Sequence, residues 1–335
     1  MKMVISSTPN ASKTNQSQFR IWLRNEFSPN RVQATTVRLL CLIVFAGAGM
    51  VVPHFASTAN LSSIVYSTAA IGTAAIGLAA VTLCGELFLL STGATAAFAA
   101  IVFVSALGFG SVAACVAAVA VGLTIGFLQG LAVGLLRCNP IIASIAAASV
   151  ITGVASLLTG GRTIIGEGDV SWLGLGVLFP GLPHQGLLLV VAALVLEIVM
   201  QRTRFGRELR LVGINRVAAR IAGLRTRLTA LVSCTLAGGT AAMAGVLVAS
   251  QSGTANLLIG TDLTFSAIAA VLVGGIGIAG GRGRISDAAF GALFLAIIGN
   301  LLLVNNLPYE AQLAVKGAAV LISVAIGSVL SGKRR

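Results

Sequence analysis

From Val37 to Leu330 the chain is a succession of apolar stretches: about 37–55, 61–83, 87–107, 111–136, 140–159, 186–201, 228–250, 263–280, 285–304 and 312–330. Short polar turns separate most of them, and this pattern constrains the fold more than any other feature. A helix needs about 20 apolar residues to cross the ~30 Å hydrocarbon layer of a bilayer, and these stretches are of that length. Composition removes the soluble alternative, because 57% of the 335 residues are hydrophobic and only 9% are charged. Soluble domains carry roughly a quarter charged residues to face water. The expectation is therefore an all-α, polytopic membrane helix bundle of about ten transmembrane helices. The third and eighth stretches are short or interrupted by small residues.

The basic residues orient this bundle. The formal net charge is +13, which in a soluble chain could mark nucleic-acid binding. Here Lys and Arg lie between the apolar stretches and at the ends, so no nucleic-acid partner is expected. Alternating ten spans from a cytoplasmic N-terminus places 20 of the 22 basic residues inside, leaving only Arg162 and Lys316 toward the outer face. Retention of Lys and Arg on the cytoplasmic side is the main determinant of topology, and one helix more or fewer in mid-chain would spoil the agreement. Both termini are expected in the cytoplasm. The chain then divides into a cytoplasmic N-terminal arm (1–36), a transmembrane domain (37–330) with a basic cytoplasmic loop at 202–227, and a basic tail (331–335). The first apolar stretch is too long for a signal-peptide core and no A-x-A-like site follows it, so the arm is expected to be retained.

Motifs of covalent chemistry are missing. No Gly-Lys-Ser or Gly-Lys-Thr of a P-loop occurs, so any ATP must be hydrolysed by another chain. Gly275-x-Gly277-x-x-Gly280 matches a dinucleotide fingerprint by its letters, but it ends an apolar stretch and lacks the βαβ setting that gives the motif meaning. Cys41, Cys84, Cys115, Cys138 and Cys234 are scattered, with no CxxC pair or Cys/His cluster, so neither a metal site nor a disulfide framework is expected. His54 and His184 each follow a proline and have no acid close in sequence, which fits interfacial or loop positions. The nine acids, among them Glu86, Glu197 and Asp287, fall at span ends or in loops, which argues against a charged carrier site in mid-membrane. No cofactor is expected and the chain is not expected to be an enzyme.

Two other patterns stand out. Gly122, Gly126, Gly130 and Gly134 recur every fourth residue and share one helix face, where small residues let another helix approach closely in lipid. The segment Arg202–Arg227 is the most hydrophilic part of the transmembrane domain. Within it Ala218, Ala219, Ile221, Ala222 and Leu224 form a small apolar face ringed by Arg216, Arg220, Arg225 and Arg227, and Gly213 and Gly223 are expected to bracket a short helix. Such an element could anchor on anionic lipid or dock in a groove on a partner.

The run G-R-E-L-R-L-V-G-I-N-R-V-A-A-R-I-A-G (206–223) resembles the cytoplasmic coupling motif of permease subunits of bacterial ABC importers of the ribose/xylose (monosaccharide) type. A second run, S-A-I-A-A-V-L-V-G-G-I-G-I-A-G-G-R-G-R-I (266–285), with Gly291, Ala292, Asn300, Gln312 and Lys316 beyond it, is similar to that family's later segment. So is Cys138–Ala143. The chain departs from the family pattern at Glu86, Ser266 and Asp287. The resemblance covers roughly 60–330. It implies that Gly206, Arg207, Gly213, Asn215, Ala218, Ala219 and Gly223 contact an ATP-binding cassette subunit. It further implies a periplasmic solute-binding protein, a second permease copy (identical or paralogous), and a place in the bacterial inner membrane, carrying a sugar or sugar-like solute. Gln129, Gln251, Asn256 and Asn300 are candidate polar groups of the pathway, with interhelical hydrogen bonding as the competing role. The alternative is a self-sufficient secondary transporter or channel.

Overall fold

The computed structural model describes residues 29–332 apart from 54, 169 and 180. His54, most of the N-terminal arm and Lys333–Arg335 lie outside the described residues. Twelve helices matter here: α1 (Pro29–Val51), α2 (Thr58–Leu83), α3 (Thr92–Ser105), α4 (Ser111–Gly130), α5 (Pro140–Thr159), α6 (His184–Arg202), α7 (Arg204–Ile214), α8 (Arg216–Ile221), α9 (Thr226–Ser252), α10 (Thr261–Val273), α11 (Ile285–Val304) and α12 (Tyr309–Gly332). A π-helical turn, Leu131–Leu135, prolongs α4.

A helix underlies each of the ten apolar stretches. Seven are long and apolar enough to cross a membrane by length and composition: α1 from Gln33, α2, α4 with its extension, α5, α6, α9 and α11. The third and eighth stretches are not full-length helices. α3 has 14 residues and α10 has 13, about 20 Å each at 1.5 Å per residue. Residues 85–91 precede α3 as non-helical chain, and α10 stops at Val273 where Gly274 and Gly275 begin a loop expected to be helical to 280.

The helix ends follow local chemistry. Ser57 starts α2 by accepting a hydrogen bond from Asn60 N at 3.3 Å, the usual role of an N-cap hydroxyl. Asn139 does the same for α5, accepting from Ile141 N at 2.9 Å, with Pro140 at the first helical position where its missing N–H costs nothing.

α2 and α9 form the centre. Ala69, Ala74, Ala75, Ala79 and Ala80 of α2, and Ala230, Ala242, Ala244 and Ala249 of α9, are no more than 1% exposed. The glycine face of α4 lies against α9 as the four-residue spacing predicts. A Cβ on Gly122, Gly126, Gly130 or Gly134 would come within 2.5–2.7 Å of the carbonyl oxygens of Gly238, Cys234, Leu231 and Arg227 respectively. Those carbonyls step along α9 by three or four residues, so two helices meet backbone to backbone over three turns. Outward, Val116, Leu157, Leu158 and Val190 on α4, α5 and α6 are well exposed, as a lipid-facing surface requires.

The turns segregate to opposite ends. At one end, Leu83–Glu86, Arg137–Pro140, α7–α8 and Gly274–Arg284 touch one another. At the other, two short ladders break the all-α expectation. β1 (Ile164–Ile165) pairs antiparallel with β4 (Thr254–Ala255), and β2 (Val177–Phe179) pairs with β3 (Leu182–Pro183). Gly168 packs there on Leu107, and a turn at Ser171–Gly174 packs on Ser250.

Candidate functional site

The arginine-rich end contains the best-built junction in the molecule. Thr203 opens α7, its Oγ1 accepting from Gly206 N at 3.3 Å while donating to Val199 O at 2.6 Å. This ties α7 to the end of α6. A Cβ on Gly206 would sit 2.5 Å from the Met200 carbonyl carbon, so only glycine lets the turn close this tightly. Leu209 and Val212 are buried beneath α7, at 0% and 2% exposure.

Gly213, in the last turn of α7, meets the backbone of two other segments. A Cβ there would lie 2.6 Å from Gly281 N and closer still to Leu83 O. Gly281 N donates to Leu83 O at 3.0 Å. Gly85 (φ +79°) approaches Gly213 Cα, and a Cβ on Gly280 (φ +84°) would fall 2.6 Å from Gly85 Cα. Gly85, Gly213 and Gly280 thus form a node where the end of α2, the end of α7 and the loop joining α10 to α11 touch without side chains between them. Contacts of this kind transmit displacement with little slack, because packed interiors are nearly incompressible.

Asn215 divides the segment into two helices. It ends α7 and caps α8, its Oδ1 accepting from Ala218 N at 3.0 Å. The expectation of one helix bracketed by Gly213 and Gly223 is corrected at its first end, since Asn215 rather than Gly213 starts the short helix. Gly213 instead provides the close approach. At the other end Gly223 N donates to Arg220 O at 3.1 Å and Leu224 N to Ala219 O at 3.0 Å. That is a Schellman cap, which requires the left-handed conformation that Gly223 holds at φ +79°. Ala219 is buried and Ala218 exposed, and Arg207 projects outward. Val217 and Ile221 are 70% and 83% exposed, so α8 presents apolar side chains among arginines.

Electrostatics fasten this element to the bundle. Arg216 pairs with Glu86, whose side chain is only 7% exposed. Asp287 accepts from Arg38 at 2.6 Å and, through Oδ2, from Arg284 N at 3.0 Å. The Arg38 guanidinium also lies 4.8 Å from the Phe290 ring centroid. Glu197 of α6 accepts from Ser286 N at 2.9 Å. The first turn of α11 is therefore held by carboxylates from two helices, as its positive dipole end favours, and Asp287 links it to α1. Glu86 and Asp287, where the sequence departs from the family pattern, are each paired with an arginine.

The four pathway candidates are not brought together. Gln129 accepts from Ser91 Oγ at 2.7 Å, and Gln251 donates to Gln185 Oε1 at 2.9 Å. Asn300 donates to Asn60 Oδ1 at 2.9 Å. Asn256 caps the turn Leu257–Gly260 by accepting from Leu258 N and Ile259 N. Among the described residues no hydrogen bond joins any two of the four. Sequence reasoning missed their partners. Fully buried Gln185, which also reaches Leu173 O, Leu247 O and Ser250 Oγ, signals itself only as an amide at the start of an apolar helix. The node residues Gly85, Gly280 and Gly281 sit in Gly-rich turns whose letters do not tell which backbone they approach.

Residues 60–324 match the family model described as "Branched-chain amino acid transport system / permease component". The chain is 32% identical over 282 residues to the autoinducer 2 import system permease protein LsrC of Salmonella typhimurium (strain LT2), covering 83% of this chain and 80% of that protein. It is 33% identical over 286 residues to LsrC of Yersinia pseudotuberculosis serotype O:3, covering 84% and 81%. With LsrC of Escherichia coli O157:H7 the identity is 31% over 276 residues, covering 82% and 80%. No solved structure matches. The match over most of the chain, on a bundle of membrane-length helices, shows that this protein belongs to the permease-component family of ABC transport systems, subunits that pass solute across a membrane and are not enzymes.

Proposed function

We propose that this chain is the membrane-spanning half of an ATP-driven importer in a bacterial inner membrane. It passes a small sugar-like solute that a periplasmic binding protein delivers. The relatives' printed names support that solute class, since each is a permease for autoinducer 2. One structural observation carries the mechanism: α7–α8 seats on the bundle through the Gly85–Gly213–Gly280 node while Val217, Ile221 and Arg207 stay exposed. A cassette ATPase pressing on α8 would move the end of α2 and the α10–α11 loop together, because Gly281, Leu83 and Gly213 have no room to slide. Gly206, Arg207, Gly213, Asn215, Ala218, Ala219 and Gly223 then act as the coupling segment, by contact (Arg207, Ala218) or by shaping it (Gly206, Gly213, Asn215, Ala219, Gly223).

Ten spans with both termini inside put this junction in the ATP-containing compartment. Segregation of the loops to two ends supports that parity, and eleven arginines (Arg137, the eight of 202–227, Arg282 and Arg284) at the junction end favour the cytoplasm. A second permease copy completes the pathway. Gln129, Gln251, Asn256 and Asn300 serve in this reading chiefly to hold helices together. Among the described residues the two buried carboxylates, Glu86 and Asp287, are committed to arginines, which disfavours an ion-coupled carrier.

The test is uptake into proteoliposomes. The chain alone should move no labelled solute down or against an ion gradient, whereas addition of the ATPase, the binding protein and ATP should start uptake. Gradient-driven uptake by the lone chain would replace this reading with that of a secondary transporter.

A further inference from the structure

We propose that the basic cavity between α8 and the α4–α5 turn holds the phosphate headgroup of an anionic phospholipid of the cytoplasmic leaflet. The inference rests on the inward placement of the arginine-rich end. The cavity has a volume of about 680 Å³ and is lined by Arg137, Arg216, Arg220 and Arg227 together with Glu86 and the apolar side chains of Val133, Pro140, Val217 and Ile221. Its four arginines come from three separate elements: the α4–α5 turn, α8 and the first turn of α9. Glu86 is its one carboxylate and is committed to Arg216. Among the described residues Arg137, Arg220 and Arg227 have no ion-pair partner, so the cavity carries about three uncompensated positive charges.

Convergence of like charges costs energy unless an anion answers it. The planar guanidinium is the side chain best matched to phosphate oxygens.

Two further observations point to a lipid. Leu136 and Ile142, on either side of the Arg137 turn, are 75% and 68% exposed, and Leu135 and Ile145 are 44% and 50% exposed on membrane-length helices. An acyl chain leaving the cavity could follow that apolar surface, so a single lipid would meet both the arginines and the leucines and isoleucines beside them, whereas a water-soluble phosphate would meet only the arginines. Arg137 itself holds φ +59°, a left-handed conformation uncommon for any residue but glycine, asparagine or aspartate. Such conformations persist where the surroundings enforce them, often at ligand sites. This one follows directly on the π-helical turn Leu131–Leu135, and π turns too gather at functional sites. Basic pockets between membrane helices on the cytoplasmic side are suited to anionic headgroups.

The test uses the full chain, purified in mild detergent and assembled with its ATPase. Native mass spectrometry would count phosphatidylglycerol retained after exchange against phosphatidylcholine. The wild type should retain it, and the Arg137→Gln/Arg227→Gln double variant should retain about 25-fold less, at roughly fivefold per arginine. Arg282→Gln, exposed and outside the cavity, should match the wild type. Equal retention by the double variant would overturn the proposal.

Two further arms separate the sources of phosphate. Glycerol 3-phosphate or inorganic phosphate at millimolar concentration should fail to displace the lipid, and displacement by either would overturn the lipid assignment in favour of a soluble anion. If the double variant does not assemble, a photoactivatable phosphatidylglycerol should crosslink wild-type Leu136–Ile145. Crosslinks confined to other helices would overturn the proposal. None of these readouts depends on solute uptake, so failure here and failure of the importer reading are distinguishable.

Discussion

Replacing Gly213 by alanine tests the mechanical account at its narrowest point. The new methyl group would lie 2.6 Å from Gly281 N and closer to Leu83 O, whereas ordinary contact begins at 3.4 Å. Gly281 N alone therefore requires a separation of about 0.8 Å, and Leu83 O requires more. Both neighbours are backbone, so no side-chain rotation can relieve the clash. Overpacking of this kind costs about 1–3 kcal/mol. Charged against the seated state of α7–α8, that energy lowers its population about 5- to 150-fold. The assay is paired measurement of ATP hydrolysis and solute uptake in proteoliposomes containing the whole importer. Gly213→Ala should keep substantial ATP hydrolysis while uptake falls at least fivefold. Gly223→Ala is the graded comparison. No atom lies within 4 Å of its added Cβ, but φ is +79°, so only backbone strain of about 1 kcal/mol is added and the loss should be smaller. Gly108→Ala meets nothing and holds no positive φ, and should be neutral. Wild-type uptake in correctly assembled Gly213→Ala would refute the node as the path of force.

Other perturbations separate coupling from stability. Gly126→Leu, aimed at backbone 2.5 Å away on α9, should reduce the amount of folded protein in the membrane, read by size-exclusion profile, rather than selectively uncouple what remains. Asp287→Ala removes the cap of α11 and the partner of Arg38. It should lower the detergent Tm by several degrees, corresponding to about 1–3 kcal/mol; Arg38 is partly exposed, which keeps the figure below that of a fully buried pair. Glu86→Gln leaves Arg216 without its carboxylate and should weaken uptake more than folding, measured by uptake per assembled complex. Gln185→Leu removes the acceptor of the Gln251 amide and the donor to Leu173 O, Leu247 O and Ser250 Oγ at the opposite end, and should destabilise by about 1–3 kcal/mol without changing the ratio of uptake to hydrolysis.

The sequence makes some of this legible because lipid is a simple solvent. Length and apolarity alone place α2, α5 and α11, whereas α1 begins at Pro29 and ends at Val51 rather than spanning 37–55; the Gly122–Gly134 spacing announces a helix seam, since period-four glycines have few other uses in a membrane. The same logic overextends α10, where Gly274 and Gly275 are apolar by composition yet end the helix. Likewise 87–91 reads as apolar span but is non-helical chain leading to α3. Hydropathy records solvent preference and is nearly blind to backbone conformation. Within 202–227 the C-terminal cap was legible at Gly223, because capping is local chemistry, whereas the start of the short helix was expected at Gly213 and falls at Asn215. The seat of this segment was not legible, because the contact of Gly213 with Gly281 and Leu83 joins positions remote in sequence. The pairs Glu86–Arg216 and Arg38–Asp287 were hidden for the same reason.

The native protein carries a reporter on the placement of the arginine-rich end. Cys138 lies at the rim of the arginine-lined cavity and is exposed, whereas Cys41, Cys84 and Cys234 are buried and Cys115 is intermediate. A membrane-impermeant maleimide should modify Cys138 in inside-out vesicles and leave it untouched in right-side-out ones, with Cys138→Ser abolishing the signal. Modification in right-side-out vesicles alone would set α7 and α8 in the compartment without ATP and contradict the account.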